Sequence, residues 1–295
     1  MTAAVEKIEI RRLDPFEIRA FSHFASSVDP TYLVSAPALA VGVEADGKPA
    51  GLALAYFVRA AAVRVAAFVV KEPLRRRGIG KQLYERLIEE LLKRGVQLAD
   101  ILASNPEPFL ERRCWNLGAR LATVYTFSKH VGEAPWLQET IALPPQYELV
   151  PWLDLTEEDR RKALRLMEDD AVARRLDPFH DPGRVFGPSS NALRHDGELV
   201  GWCVVHRISQ ETLQYSSVYV AAKQRRTVAP MILLNYSIRE HLRRFEEVPF
   251  GIQAVPPELP EIERFANKRL APWADRVQRV HVWWKQFDAA EAGTV

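Results

Sequence analysis

Phe68-Val69-Val70-Lys71-Glu72-Pro73-Leu74-Arg75-Arg76-Arg77-Gly78-Ile79-Gly80-Lys81 is the stretch that decides how this chain is read. Before it, Ala61–Val70 is mostly apolar, as a strand in the middle of a sheet must be. After it, Leu83, Leu87 and Leu91, with Tyr84 and Ile88, recur at i, i+4 and make one face of a helix from Gly80 to Lys93. The segment therefore joins a buried strand to an amphipathic helix. Its two glycines permit tight backbone turning. Successive N–H groups can then point into one concavity at the helix N-terminus. Such a place binds phosphate, through orphan donors and the positive end of the helix dipole. Arg75, Arg76, Arg77 and Lys81 add charge. The plainer alternative is a basic loop that caps a helix. Two other phosphate motifs do not fit: a Walker loop would need Gly where Arg75 stands and Ser or Thr where Gln82 stands, and a dinucleotide fingerprint would need Gly at Leu83.

Working outward, Val5–Arg12 reads as a strand, and Asp14-Pro15 starts a helix to about Ser26, with Asp as N-cap and Pro in the first turn. Two strands flank Asp46-Gly47, the strongest short hairpin signal, because a type I′ turn needs positive φ at both central residues. Gly95 closes the main helix. Leu98–Ala103 is a strand, Pro106–Asn116 a short helix and Arg120–Val131 a last strand. The expected order is β-α-β-β-β-α-β-α-β.

The chain then repeats itself. Asp46-Gly47-Lys48-Pro49-Ala50-Gly51 is echoed 150 positions on by Asp196-Gly197-Glu198-Leu199-Val200-Gly201. The offset carries Val70 to Val220, Arg75-Arg76 to Arg225-Arg226 and Leu83 to Leu233, while Asn116 and Asn267 differ by 151. One offset held over some forty residues in the same element order implies two copies of one fold. We expect a first domain over residues 1–135 and a second over 145–295, with the joint from Glu133 to Pro145. The second copy differs where the first is informative: Gly78 corresponds to Val228 and Gly80 to Pro230. Proline removes an N–H and valine resists positive φ.

Composition bounds the rest. Of 295 residues, 47% are hydrophobic and 26% charged, the balance of a folded globular chain. Forty basic and 38 acidic residues leave +2, which gives no reason to expect a nucleic-acid partner. Two cysteines, Cys114 and Cys203, suit a reducing compartment, and no apolar run reaches spanning length, so a cytoplasmic protein without membrane attachment is expected.

Arg75-x-x-Gly78-x-Gly80 after Val70, on a strand–loop–helix, resembles motif A of the GNAT superfamily of N-acetyltransferases. Asn105 after the next strand, and Leu117-Gly118 after the following helix, sit where that family places its Asn and Leu-Gly-Phe signals. The resemblance covers about residues 5–131 well and the second half weakly. It implies an α/β (α+β) chain of two tandem GNAT-like domains, each a mixed, mostly antiparallel twisted sheet flanked by helices. It also implies acetyl-coenzyme A, or another acyl-coenzyme A, as cosubstrate, with no metal. By the same resemblance the backbone from Arg76 through Arg77, Gly78, Ile79 and Gly80 to Lys81 holds the pyrophosphate. Phe68 and Val70 pair with the pantetheine, Val70 N–H polarises the thioester carbonyl and Asn105 contacts the pantetheine arm.

The catalytic side chains depart from the family pattern. Cys114 stands where the family often has Tyr, and Ala119 replaces the Phe. A cysteine thiol can protonate a departing thiolate; the alternative is a small buried hydrophobe. Ala61–Val70 also lacks the Asp or Glu that many members use as base, and Glu72, Glu107 and Glu111 are nearby in sequence but of surface type. His180, in Asp177-Pro178-Phe179-His180-Asp181-Pro182-Gly183, reads as part of a loop, and Trp283-Trp284 as core residues of a terminal strand. The expected function is an acyl-coenzyme A-dependent N-acyltransferase. It would move acetyl directly, in a ternary complex, to an amine of a small molecule or protein, as a monomer or homodimer. The alternatives are a non-catalytic module that binds acyl-coenzyme A or a partner, and another reaction on the same scaffold.

Overall fold

A computed structural model describes residues 7–25, 38–138 and 141–287. The chain forms two compact units, but they do not follow the linear division at 135 and 145. One contains residues up to Arg120 together with those from Val280 onward, and the other runs from Leu121 to Arg279. Among the described residues no helix is long and apolar enough to cross a membrane.

The first unit holds β1 (Ile8–Leu13), β2 (Ala38–Ala45), β3 (Lys48–Arg59), β4 (Ala62–Val70), α1 (Ile79–Leu92), β5 (Leu98–Ser104) and α2 (Pro108–Glu111). Strands β1 to β4 form an antiparallel meander, and β5 joins β4 in parallel. The beginning of β6 (Asn116–Phe127) belongs to this unit. The strand beside β5, however, comes from the far end of the chain. Val280–Gln286 of β12 (Arg276–Gln286) pairs antiparallel with Leu98–Ser104. Val5, Glu6 and Ser26, included in the expected first strand and helix, lie outside the described residues. The helix after β1 is a 3-10 helix, Glu17–Ala25, and Asp14 Oδ1 accepts from Phe16 N (2.7 Å) and Glu17 N (2.8 Å) as its N-cap requires.

The helix face read from the sequence is buried: Ile79, Leu83, Tyr84, Leu87 and Leu91 turn inward. They pack with Val41, Val43, Trp115 and Trp283 on one side of the sheet, while Leu13, Ile18, Phe21, Leu52 and Leu54 form a second cluster. Each fully buried leucine contributes roughly 2 kcal/mol of transfer free energy. Gly95, at φ 70°, ends the helix, with its N–H donating to Leu92 O at 2.9 Å.

The second unit repeats the order. The short α3 (Pro135–Gln138) precedes β7 (Tyr147–Pro151). Then come α4 (Glu157–Asp169), α5 (Ala171–Arg175), β8 (Asn191–His195), β9 (Glu198–Arg207), β10 (Thr212–Val220), α6 (Ala229–Leu242), β11 (Phe250–Val255) and α7 (Pro260–Arg269). Its sheet runs β7-β8-β9-β10 antiparallel, β11 parallel to β10, and beyond β11 the strand Thr123–Phe127 of β6. The two copies have thus exchanged their last strands. The residues between Arg175 and Ser190 form turns and short 3-10 helices, and Phe186 N donates to Val205 O of β9 at 2.7 Å.

The offset of 150 survives in detail from the hairpins to α1 and α6, and becomes 152 from β5 and β11 onward, where Leu98 faces Ala62 and Phe250 faces Thr212. Both hairpin turns have positive φ at both positions, Asp46 and Gly47 in one, Asp196 and Gly197 in the other. The register of β3 on β4 slips by one residue at Ala66, and that of β9 on β10 slips at Ser216. A Cβ on Gly51 would lie 2.8 Å from Val69 O, and one on Gly201 would lie 2.6 Å from Tyr219 O, so neither position admits a side chain.

One ion pair of the second unit has a measurable consequence. Thr156 and Asp159 form a capping box, and Arg194 grips Asp159 through Nε (3.0 Å) and Nη2 (2.5 Å). The guanidinium, and then the Thr156 hydrogen bonds, hold the buried carboxyl down at about 2 against their opponent, desolvation. A carboxyl depressed on folding stabilises above its unfolded value and loses that contribution as pH falls through the folded one. About 2 kcal/mol of stability should therefore vanish between pH 5 and pH 2. Denaturant melts of Asp159→Asn should show lower stability at pH 5 and a shallower decline below it; an unchanged decline would remove Asp159 as its source.

Candidate functional site

The loop between β4 and α1 is built as a donor cradle. Arg75 Nε donates back to Val70 O at 2.9 Å, which folds the loop over the strand end. Arg76 (φ 61°) and Gly78 (φ 82°) both have left-handed backbone, and Gly78 is the N-cap of α1. The first backbone amide of this turn to find a carbonyl is Lys81 N, on Gly78 O at 3.0 Å. The amides of Arg76, Gly78, Ile79 and Gly80 donate to no backbone carbonyl among the described residues. A Cβ on Gly78 would meet nothing within 4 Å, and one on Gly80 would have only Phe109 at 3.9 Å. The space over these amides is open, and the arginines here are exposed. This is a fitting seat for a diphosphate.

Next to the loop, β4 and β5 diverge. Their paired positions end at Val65 and Ile101, closed by Arg64 gripping Asp100 at 2.6 and 3.0 Å. Ala66–Val70 and Leu102–Ser104 lack partners across the gap. The extra residue Ala66 helps open it by bending the strand. Phe68 and Val70 lie on this free edge, where an extended chain of amides can pair with the backbone. Asn105 is exposed just past the end of β5.

Sequence reasoning missed an aromatic group beside the gap. Phe109 lies 5.2 Å from Phe68 and 5.8 Å from Tyr84, ring centre to ring centre, and the Arg113 guanidinium lies 3.7 Å from the centre of the Phe109 ring. The Tyr84 hydroxyl accepts from Trp115 Nε1 at 3.0 Å. The i, i+4 pattern marked Tyr84 as a core position, but nothing in sequence spacing joins it to Phe68 and Phe109.

Cys114 is exposed, so the buried-hydrophobe alternative does not describe it. The expected helix Pro106–Asn116 is one turn only, because the chain reverses at Cys114 with φ 56° and Trp115 N caps back to Leu110 O at 3.2 Å. Cys203 is the inert one: burial pushes its thiol up to about 12. Glu72 and Glu111 are exposed, and Glu107 is a cap that accepts from Phe109 N. Trp283 is buried with Nε1 donating to Ser104 O, whereas Trp284 is 37% exposed. His180 is an exposed loop residue, and no group of three or more His, Cys, Asp or Glu among the described residues is placed to hold a metal ion.

In the second unit the cradle is broken. Thr227 N donates to Gln224 O (3.1 Å), Ala229 N donates to Thr227 Oγ1 (3.1 Å), and Pro230 has no N–H. Val228 has φ −74° where Gly78 has positive φ. Arg225 keeps its bond to the strand, Nε to Val220 O at 2.9 Å, and its guanidinium is held by Asp170.

A meander of four strands, a bulged and diverging β4, and a glycine loop opening onto a helix define the architecture of the first unit. Residues 6–107 match the model of the Acetyltransferase (GNAT) family. Over its length the chain has the fold of tandem GNAT proteins. Two solved structures share it along their length. One is a tandem GNAT protein from the clavulanic acid biosynthesis pathway, 16% identical, TM-score 0.61, covering 98% of this chain and all of that one. The other is a GCN5-related N-acetyltransferase from Sphaerobacter thermophilus, 15% identical, TM-score 0.54, covering 95% of each. No curated protein is recognisably similar in sequence.

Proposed function

We propose that the chain is an acetyl-coenzyme A-dependent N-acetyltransferase whose cosubstrate is held by the first unit. The observation that carries this reading is the amides of Arg76, Gly78, Ile79 and Gly80, which donate to no backbone carbonyl among the described residues, beside diverging strands. The backbone of Arg76, Arg77, Gly78, Ile79, Gly80 and Lys81 would bind the pyrophosphate, with Arg75 fixing the loop to Val70. Phe68 and Val70 would orient the pantetheine arm, and Asn105 would meet it as it leaves the gap. Acetyl-coenzyme A supplies an activated thioester. The Val70 N–H would stabilise charge developing on the thioester oxygen. The acceptor would be an amine of a small molecule or protein, acetylated directly in a ternary complex in the cytoplasm. Mass spectrometry of acetyl transfer against a panel of amines tests this; coenzyme A binding with no acetylated product from any amine would favour a non-catalytic binding module. The absence of Asp and Glu from Ala62–Val70 is what keeps that second reading in play.

We assign Cys114 the role of proton donor to the leaving thiolate. Its exposure and its place at the turn into β6 support this. Cys114→Ala should lower kcat about a hundredfold, the low end for a lost general acid, with acetyl-coenzyme A affinity unchanged. Full turnover in the variant would return Cys114 to a structural role.

A further inference from the structure

The second unit has lost the phosphate cradle, yet it has an opening in the same place. A cleft of about 940 Å3 runs along Val218, Tyr219 and Val220 of β10 and is closed by α6 and α7. That is the size of a small-molecule site. It opens because β10 and β11 pair only from Thr212 to Gln214, so the strands diverge beyond, as in the first unit.

The side chains explain the room. At the offset of 150, Phe68 and Tyr84, which cluster with Phe109 in the first unit, become Val218 and Leu234, both lining this cleft. Two aromatic rings are replaced by aliphatic groups. Gln253 of β11 also stands in the wall, 6% exposed, where the equivalent position of β5 is Ile101.

The charges around the cleft largely cancel. Arg225 is held by Asp170, Glu258 lies 3.7 Å from Arg175, and Arg264 lies 4.0 Å from Glu261. Arg226 remains, lining the cleft and exposed, with no ion pair among the described residues. The cleft therefore offers an apolar body, the Gln253 amide in its wall and one uncompensated cation. A diphosphate does not fit that description, because the amides of Thr227 and Ala229 are taken and Pro230 has none.

We propose that the second unit's cleft binds a small carboxylate with an apolar body, such as a medium-chain or aryl-substituted acid. Arg226 meets the carboxylate, Gln253 hydrogen-bonds the ligand's polar atoms, and Val218, Leu234 and Leu259 enclose its hydrocarbon. This goes beyond the acetyl-coenzyme A reading and stands independently of it.

Calorimetry on the full chain tests it, with octanoate and 3-phenylpropionate against octanol and 3-phenylpropanol. At least one acid should bind, with its alcohol about tenfold weaker or worse. Val218→Phe, which installs the first unit's residue, should abolish that binding and leave acetyl-coenzyme A affinity unchanged. Arg226→Gln should weaken it about tenfold. If Val218→Phe fails to fold, Leu234→Tyr, which likewise installs the first unit's residue, is read in its place. The proposal is overturned if neither acid binds at millimolar concentration. It is equally overturned if acid and alcohol bind alike, if the filled cleft still binds, or if acetyl-coenzyme A displaces the acid.

Discussion

Gly80→Pro should weaken acetyl-coenzyme A binding about thirtyfold while leaving the protein folded. The substitution removes one of the free amides of the cradle and sets a ring over the others. A hydrogen bond to a charged group is worth roughly 1.5–3 kcal/mol, which brackets that factor. Stability is expected to change little, because Gly80 lies in the first turn of α1, where proline is tolerated. The second unit supplies the control: Pro230 holds the same place at the start of α6. Calorimetry on the folded variant decides the matter, and unchanged affinity would move the cosubstrate away from this loop. The wild-type protein should also bind one coenzyme A per chain, since the second loop cannot offer the same donors. Two per chain at saturation would show that the spent amides of Thr227 and Ala229 rearrange.

The second large effect concerns the exchanged strands. A fragment of residues 1–135 should be insoluble or unfolded, because it lacks Val280–Gln286 and leaves β5 as an open edge. It also loses Trp283 and Phe287 from its core, each buried, at a cost of roughly 3–5 kcal/mol apiece. Joining residues 276–287 to residues 7–120 through a flexible linker should restore a soluble unit. Size-exclusion chromatography and near-ultraviolet circular dichroism on both fragments measure this. A well-folded 1–135 fragment would mean that β6 can take the place of β12.

That last possibility shows where the sequence is silent. The strand–loop–helix around Gly78 and the two Asp-Gly hairpins were legible because each depends on local rules. A left-handed turn needs glycine or aspartate, and a helix face needs i, i+4 spacing. The repeat was legible because those local signals recur at one offset. The destination of β6 was not. Both β6 and β12 follow equivalent helices, and the alternation of a strand says which face is buried but not which neighbour it joins. The short helix after Asn105 was overread for a related reason. Nothing in Arg112-Arg113-Cys114 announces a helix stop, since the left-handed residue there is a cysteine. The aromatic cluster of Phe68, Tyr84 and Phe109 spans three elements, so only the folded chain brings it together. The cleft of the second unit was equally hidden.

The exchange also sets a timetable for synthesis. Ser104 and Trp283, which share a hydrogen bond in the first unit, are 179 residues apart. At ribosomal rates of roughly 5–20 residues per second, β5 leaves the ribosome about 10 to 35 s before the strand that flanks it. During that interval the nascent first unit carries an unpaired edge, and the second unit, which already has its strand from β6, can close first. The copy with the glycine loop is made early and finished late.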